Sequence, residues 1–353
     1  MKNYKTCPEL VSGLKMTCKS HSRMVLSGIY RFRVKHGMTP RKLSLRGIAE
    51  AISLICYSLF TIHCLYATTP TAEFLRINPS AFSSAMGGAS VALDGKVDSL
   101  YSNPSGIASI RAPQLFTGYT SYIQDIKLAG LSFAKPIGKN IFGFSIIYLG
   151  LKSMDATDDF GQPAGDASAN NFSFSLSWAK NIKDNFGVGV SVKQVHQRYD
   201  DVSSDGVCAD AGGQYKISNF IVGLSLQNFG PEIDSQKLPA TIRTGAVYTF
   251  TKNPLKISAE IEKPVYSDIK FKTGAEYEVA PKIYFRGGYK YLREAGVFSG
   301  VSAGLGFKTV WQESYMELAA GKPVKKIGVN LDYAFSYFGA LGNIHRVSMC
   351  FEF

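Results

Sequence analysis

The sequence predicts an all-β fold: a transmembrane antiparallel β-barrel of about fourteen strands, preceded by an N-terminal plug or hatch segment. Apolar and small residues alternate from Gln114 to the end of the chain, an export-type leader precedes them, and the last residue is Phe353. A strand places successive side chains on opposite faces, so segments such as 172–178 are apolar on one face only. Many such strands behind an export signal are typical of an outer-membrane barrel.

Residues 1–67 are predicted to be a leader that contains a secretory signal peptide. Arg41, Lys42 and Arg46 precede an apolar stretch at 51–65, and Ala67 is a small residue that suits cleavage. The apolar stretch is shorter than the roughly 20 residues that a spanning helix needs, although an uncleaved anchor helix is the alternative.

The stretch before Met38 is long for a signal peptide, so Met38 is the predicted natural start. The leader also dominates the charge of the chain. Residues 1–67 hold 11 Lys/Arg and 2 Asp/Glu, so +9 of the formal net charge of +12 belongs to them and +3 is left for the remainder. The basic pI therefore gives no reason to predict a nucleic-acid partner.

The composition beyond residue 67 favours a membrane barrel. Charged residues make up 19% of the chain, against about 25% in a typical soluble domain. No apolar run there approaches the length of a membrane-spanning helix, so a closed barrel is the one way this part could cross a bilayer. A soluble β-sandwich also alternates and is the alternative. Charges confined to one face, as in 270–277, favour the barrel with its polar lumen.

The alternation after Pro113 divides into fourteen segments, an even number as single-chain bacterial barrels require. The predicted strands are near 114–122, 126–135, 140–152, 170–181, 186–199, 206–216, 220–229, 240–250, 254–264, 269–278, 282–291, 300–309, 325–336 and 344–353.

Loop lengths support this count. If the first strand rises from the periplasm, the longer connections at 153–169, 230–239 and 292–299 face outward. Short turns such as 251–253 and 279–281 then face inward, which is the expected asymmetry.

Residues 309–324 do not fit this pattern. They would form a long periplasmic connection, yet 315–320 resembles a strand. Counting that segment gives fifteen strands, and adding another at 86–93 gives sixteen but reverses the loop asymmetry. Fourteen is therefore the prediction.

Residues 68–113 are predicted to be a tightly folded segment outside the strand ladder, and 114–353 the barrel. Small residues at 85–92, a polar turn at 94–96 and Pro104 favour an irregular backbone.

Residues 85–108 resemble the N-terminal segment of FadL-like outer-membrane proteins, in which an Asn-Pro-Ala-Gly-Leu motif follows a hatch. The corresponding run here is 103–107, where Ser105 replaces the alanine and Ile107 the leucine. The resemblance implies a fourteen-stranded barrel with an N-terminal plug.

Two further stretches are similar to the PorV/PorQ family. The first is 222–231 followed by 238–243, and the second is 331–335 followed by 341–348, like that family's closing hairpin. Together the resemblances cover most of 75–353.

The resemblances imply two roles that the shared motifs do not separate. FadL-like members pass hydrophobic molecules across the outer membrane, with the hatch as a gate. PorV-like members are non-transporting accessories that carry exported proteins to the cell surface. Passive transport of small hydrophobic compounds is the leading prediction. The expected partners are outer-membrane lipids, the barrel-assembly machinery, and either hydrophobic small molecules or secreted proteins.

Two candidate sites follow from these predictions. Asn103, Pro104, Ser105 and Gly106 form a plug motif that acts either as the hinge of a gate or as a rigid turn that anchors the plug. Residues 347–353 alternate towards an aromatic end and resemble the signal that assembly machinery reads in barrel proteins. The residues of that signal are Val347, Met349, Phe351 and Phe353.

No enzymatic constellation, cofactor site or metal site is predicted. Residues 300–304 match a nucleophile-elbow pattern around Ser302, but they lie within an alternating strand rather than a strand-to-helix turn. The acidic loop with Asp155, Asp158, Asp159 and Asp166 could hold Ca²⁺, or could be solvated.

The cysteines give no firm pairing. Beyond the leader only Cys208 and Cys350 remain, as a disulfide or as two unrelated thiols.

Overall fold

The computed structural model describes residues 70–122, 126–157, 163–200, 202–291, 300–312, 326–339 and 342–353, with the backbone alone for 152–157, 163–167, 311, 312 and 326. In this part of the chain fourteen strands form one closed antiparallel barrel. The strands are β1 Gln114–Ser121, β2 Lys127–Ile137, β3 Asn140–Thr157, β4 Pro163–Lys183, β5 Phe186–Tyr199, β6 Val202–Ile217, β7 Phe220–Phe229, β8 Thr241–Thr249, β9 Leu255–Pro264, β10 Lys270–Ala280, β11 Ile283–Tyr291, β12 Val301–Gln312, β13 Lys326–Tyr337 and β14 Asn343–Glu352.

Each strand pairs with its neighbours in sequence, and β1 pairs with β14 to close the ring, with Gln114 opposite Glu352. Closure leaves no free sheet edge, so every strand has a partner on both sides. We call the end where β1 begins and β14 ends the terminal rim, and the opposite end the far rim.

The two rims differ in their connections. At the terminal rim the turns at 138–139, 184–185 and 218–219 join adjacent strands directly, and Ser218 adopts a positive φ of 52°. At the far rim the connection between β7 and β8 spans 230–240. The connection between β5 and β6 at the same rim spans only 200–201, so the predicted asymmetry is seen at β7–β8 and not at β5–β6. Residues 158–162 and 292–299 lie outside the described residues.

The outer face of the barrel is apolar and the inner face is polar. In β4, Leu176 is 60% exposed on the outside, whereas the neighbouring Ser177 is 6% exposed on the inside. The same alternation places Phe271 outside and Lys272 inside on β10. A belt of exposed apolar side chains around a polar lumen is the surface that a barrel presents to acyl chains.

Among the described residues, no helix is both long enough and apolar enough to cross a bilayer.

Residues 70–113, which we call the inner segment, fold inside the barrel. Three short 3₁₀ turns and one α-helical turn occur along this segment, at Glu73–Arg76, Ala81–Ala85, Val97–Tyr101 and Pro104–Ser109, of which Ala81–Ala85 is the α-helical one. Most side chains from Ser80 to Ile110 are buried. The irregular backbone bonds to polar side chains of the wall, for example Ala81 N to Ser348 Oγ at 3.2 Å and Gly87 N to Ser302 Oγ at 3.2 Å. The polar lumen thus supplies the partners that buried main-chain groups need.

The alternative strand counts are wrong. Strand β12 pairs directly with both β11 and β13, which leaves no place for an additional strand between them. Residues 86–93 belong to the inner segment, where Gly87 and Gly88 adopt positive φ. The strand-like stretch at 315–320 lies outside the described residues, as do the leader and Met38.

The predicted outward loop at 153–169 is shorter than expected. Strand β3 continues to Thr157 and β4 begins at Pro163, because the ladder extends beyond the predicted ends and pairs Asp155 with Asp166.

Cys208 and Cys350 are free thiols, on β6 and β14. The disulfide alternative is therefore wrong.

Candidate functional site

The predicted motif at Asn103–Gly106 lies near the end of the inner segment, at its last 3₁₀ turn, and is fully buried. The Asn103 Oδ1 accepts hydrogen bonds from Ser105 N at 3.1 Å and Ser105 Oγ at 2.7 Å. The Asn103 Nδ2 donates to Val91 O at 2.7 Å and towards Leu224 O of β7 at 3.4 Å. One side chain therefore ties two parts of the inner segment to the wall, which is the geometry of an anchor. A hinge role for this motif stays a prediction.

Glycines of the wall bring β5, β10 and β11 close to this segment. A Cβ on Gly189 would lie 2.5 Å from the carbonyl carbon of Pro104, and one on Gly288 would overlap Gly87 N. A Cβ on Gly274 would likewise overlap the Met86 carbonyl oxygen. Glycine in a strand permits such close approach of another backbone. The main chain of the inner segment therefore packs directly against the wall at these glycines.

A buried charge cluster holds residues 88–91. The Glu260 Oε2 accepts from Ser90 N and from Val91 N, each at 2.8 Å. The Glu260 Oε1 accepts hydrogen bonds from Arg243 Nε at 2.7 Å and from Lys272 Nζ at 3.1 Å. The Arg243 Nη2 also donates to Gly88 O at 3.1 Å. Glu262 also pairs with Lys272 and lies 3.8 Å from Arg243 Nε, so the two buried carboxylates together compensate the two cations.

Phe82 of the inner segment lies between two cations. The Lys96 Nζ is 3.2 Å from its ring centroid and the Arg286 Cζ is 4.5 Å from it. Arg286 in turn donates to Glu276 Oε2 and to Asp332 Oδ1, each at 2.7 Å. Cation–π contact of this kind strengthens when it is desolvated. Phe82 therefore fixes the helical turn against β11.

Asp98 is the buried acid of the inner segment. Its Oδ2 accepts from Ser80 Oγ at 2.5 Å. Burial raises the pKa of this carboxyl, while nearby Lys96 acts in the opposite direction. The carboxyl thus favours its protonated form more than a solvated aspartate does.

A cavity of about 600 Å³ lies between the inner segment and the far rim. One wall, near β8–β11, is charged. It carries Arg76, Arg243, Lys270, Lys272, Lys290, Glu73 and Glu262. The other wall, near β1–β3, is mostly apolar. It carries Phe74, Ile77, Tyr122, Ile126, Leu149, Leu151 and Phe338. The cavity can thus hold a small molecule with a hydrophobic body, and the inner segment closes it towards the terminal rim.

One cation interrupts the apolar wall. Arg346 of β14 lines the cavity and donates from Nη1 to Ser336 Oγ at 3.3 Å. Its Nε has no partner among the described residues.

The predicted assembly residues lie on the last strand. Val347 is exposed on the outer face, Met349 and Phe351 follow on the same face, and Phe353 is 52% exposed at the terminal rim. The Phe353 N donates to Pro113 O at 3.0 Å. Recognition of this strand by assembly machinery stays a prediction.

Ser302 is no nucleophile elbow, because it lies within β12 and its hydroxyl bonds to Gly87 N and towards Ala85 O. No group of metal-ligating side chains occurs among the described residues. Of the predicted calcium loop, Asp158 and Asp159 lie outside them, and only the backbone of Asp155 and Asp166 is described.

Sequence reasoning missed Arg243 and Glu260. The sequence signal that could have indicated them is the set of charges on one face of β10 and β11, because charges inside a barrel need oppositely charged partners on adjacent strands. The register supplies them: Lys272 lies opposite Glu260, and Arg243 opposite Glu262.

Comparison with known proteins gives the fold. No protein-family model and no curated protein matches the chain. Among solved structures, the chain is similar to the Pseudomonas putida toluene transporter TodX, with 13% identity, a TM-score of 0.55, and coverage of 77% of this chain and 96% of that one.

Two further structures give the same result. One is the deltaS2 mutant of the monoaromatic hydrocarbon channel TodX, at 13% identity and TM-score 0.57, covering 78% of this chain and 98% of that one. The other is the Ralstonia pickettii toluene transporter TbuX, at 15% identity and TM-score 0.52, covering 78% and 97%. The closed barrel of fourteen antiparallel strands expected from the sequence is confirmed.

Proposed function

We propose that this protein is an outer-membrane channel for the passive passage of small hydrophobic compounds. The observation that carries the proposal is the cavity of about 600 Å³ at the far rim, which has an apolar wall and is closed below by the inner segment. Its volume falls within the range of roughly 300–1,000 Å³ typical of ligand pockets. The structures of similar fold are described as toluene transporters and a monoaromatic hydrocarbon channel, which supports the same reading.

Passage requires the inner segment to move or to rearrange. The segment separates the cavity from a smaller one of about 260 Å³ at the terminal rim, which Phe82, Leu93 and Lys96 line. The inner segment therefore acts as the gate, with residues 103–106 as its fixed point.

The proposal includes location and processing. The apolar outer face places the barrel in a bilayer, and the predicted signal in 1–67 directs export, after which the leader is removed. Residues 347–353 serve as the recognition strand for assembly.

The test uses the full-length protein in vesicles whose outer leaflet is lipopolysaccharide, because that leaflet slows the passive entry of hydrophobic solutes. We expect initial uptake of labelled toluene to exceed that of protein-free vesicles.

The matched control is the double variant Ala108→Cys/Gly187→Cys with Cys208 and Cys350 changed to serine. A Cβ on Gly187 would lie 3.1 Å from the Ala108 Cβ, so the two positions need to separate by only a few tenths of an ångström to reach the roughly 3.5–4.5 Å of a disulfide. Because residue 108 lies beside the fixed point at 103–106, oxidation should leave uptake unchanged, and slower uptake would show that this part of the inner segment moves as well. Equal uptake with and without the protein would overturn the proposal.

A secretion accessory of the PorV/PorQ kind is the second candidate function. The observation that favours it is the likeness of 222–243 and 331–348 to that family's motifs. Loss of surface proteins upon gene deletion, with hydrocarbon uptake intact, would favour this candidate over the channel.

A further inference from the structure

The outer surface of the barrel carries a group of lysines at the terminal rim of β2–β4, which we call the basic sector. Its members are Lys135, Lys139, Lys180 and Lys183. Lys135 and Lys180 face outward, since the residues before them, Ala134 and Ala179, are fully buried on the lumen side. Asp184 is the acidic residue among 135–142 and 178–186, so these two stretches together carry a net charge of +3.

The charge of the basic sector is not compensated within the protein. None of the four lysines forms an ion pair with a carboxylate of the described residues. Cations inside the lumen differ, as Lys193 shows by pairing with Asp210 at 2.6 Å. The basic sector is therefore available to an anionic partner from outside the barrel.

The rest of the outer face at this rim is apolar or aromatic. Exposed outward side chains there include Tyr215 on β6, Phe220 on β7, Tyr277 on β10, Ile283 on β11 and Phe307 on β12. Lysines outside the basic sector occur singly in two connections of this rim, at Lys252 and Lys282. The outward positive charge is thus concentrated on one arc of the circumference.

Exposed rings lie directly beside these lysines. The register places Phe142 of β3 opposite both Lys135 on β2 and Trp178 on β4. Phe142 is 47% exposed, and Trp178 Nε1 donates to Asn140 Oδ1 at 3.3 Å, as suits an indole at a membrane–water interface. Lys180 lies opposite Asn140, so it is two strand spacings and two residues from Lys135, roughly 12 Å, and both side chains can reach one headgroup.

We propose that the basic sector binds the headgroup of an anionic phospholipid in the leaflet at the terminal rim, with the acyl chains along Phe142 and Leu176. A phospholipid offers negative charge and hydrocarbon side by side, whereas a water-soluble acidic protein would leave these two exposed side chains uncovered. The bound lipid holds β2–β4 at a fixed depth in the bilayer, as interfacial lysines and tryptophans do. This site goes beyond the channel function and stands whether or not toluene passes.

The test uses the full-length protein carrying Trp311→Phe, which leaves Trp178 as the one tryptophan. The protein is reconstituted in vesicles of phosphatidylcholine and phosphatidylglycerol with the same acyl chains, and one lipid is brominated so that it quenches the indole on contact. We expect phosphatidylglycerol to be favoured at Trp178 by about fivefold or more, as basic residues at a membrane surface predict. Salt at about 1 M should lower this preference, because it screens exposed charges.

The variant Lys135→Gln/Lys180→Gln should bring the two lipids to within about twofold of each other. The matched control is Lys252→Gln/Lys282→Gln, which removes the same charge from the same rim outside the basic sector and should keep the preference.

A second reporter reads the opposite arc of the rim. Tyr277→Trp, in a chain with both natural tryptophans changed to phenylalanine, places an indole at an outward position that is 46% exposed on β10. This reporter should show no preference between the two lipids.

Four results would overturn the proposal. Equal preference at the two reporters would show attraction to the whole rim, and a preference that survives Lys135→Gln/Lys180→Gln would exclude these lysines. No preference at Trp178 would exclude a lipid and leave the lysines to an acidic protein. Stronger displacement of brominated phosphatidylglycerol by lipid A than by unlabelled phosphatidylglycerol would assign the site to a lipid of the opposite leaflet.

Discussion

The two halves of the inner segment are held in different ways. Residues 81–93 contact the wall largely through charge: Glu260 binds two main-chain amides, and the guanidinium of Arg286 lies over the Phe82 ring. Residues 97–110 contact it through neutral groups, such as Tyr101 OH to Ile146 O at 3.2 Å and Asn181 Nδ2 to Ala108 O at 2.9 Å. Removing one charge weakens every ion pair of a cluster, whereas close packing and neutral hydrogen bonds do not depend on any single charge. We therefore expect the first half to move and the second half to stay in place.

The largest effect is expected from Glu260→Gln. The change leaves Arg243 and Lys272 with less compensation inside the lumen, and loss of a buried partner costs about 3–5 kcal/mol. The free energy of unfolding in urea should fall, and the ion conductance of single barrels in planar bilayers should rise as residues 88–91 detach.

The control for this prediction is Glu232→Gln, at an exposed position of the connection between β7 and β8. If the two variants show the same conductance, charge does not hold the first half of the inner segment in place.

Gly288→Val is expected to have the next largest effect. Its side chain would overlap Gly87, and overpacking costs about 1–3 kcal/mol. The adjacent Gly287 has nothing within 4 Å of a built Cβ, so Gly287→Val is a matched control on the same strand. Thermal unfolding in detergent measures both, and equal losses would show that strand propensity, not contact with the inner segment, is responsible.

Asn103→Ala tests the second half. Loss of its bonds to Ser105 and Val91 should cost about 1–2 kcal/mol. Conductance should change less than in the Glu260 variant, since the Pro104 main chain still packs against Gly189 of β5. Single-channel recording checks this order, and a reversed order would exchange the roles of the two halves.

Ser105→Ala is expected to have the smallest effect. It restores the alanine of the FadL-like motif and removes the hydroxyl bond to Asn103 Oδ1, while the backbone bond from Ser105 N remains. One such bond is worth about 0.5–1.5 kcal/mol. A urea midpoint shift larger than that of Asn103→Ala would contradict the view of Asn103 as the anchor.

The strands could be predicted because alternation is a local property. In 172–178 each side chain indicates its own face, and the structure places Ser173, Ser175 and Ser177 inside. The even number of strands and the short turns then fixed the topology. The ends of β3 and β4 were missed because strands that continue past the membrane lose the apolar alternation that marks them.

The site depends on pairings that are distant in sequence. Arg243, Glu260 and Lys272 meet only because of the register of β8, β9 and β10. Whether a carboxylate of the described residues pairs with Arg346 likewise depends on what lies across the lumen. The irregular inner segment has no periodicity, so its contacts with Gly189 or Gly288 could not be inferred from the chain alone.

The glycine contacts have a consequence for mutational tolerance. Gly189 and Gly274 face carbonyl groups of Pro104 and Met86, which every amino acid possesses. Substitutions at such wall positions should be rejected in a deep mutational scan, whereas the facing residues can vary wherever their own side chains leave room. At these contacts, purifying selection would then act mainly on the glycines of the wall, and the facing residues of the inner segment would vary more among related sequences.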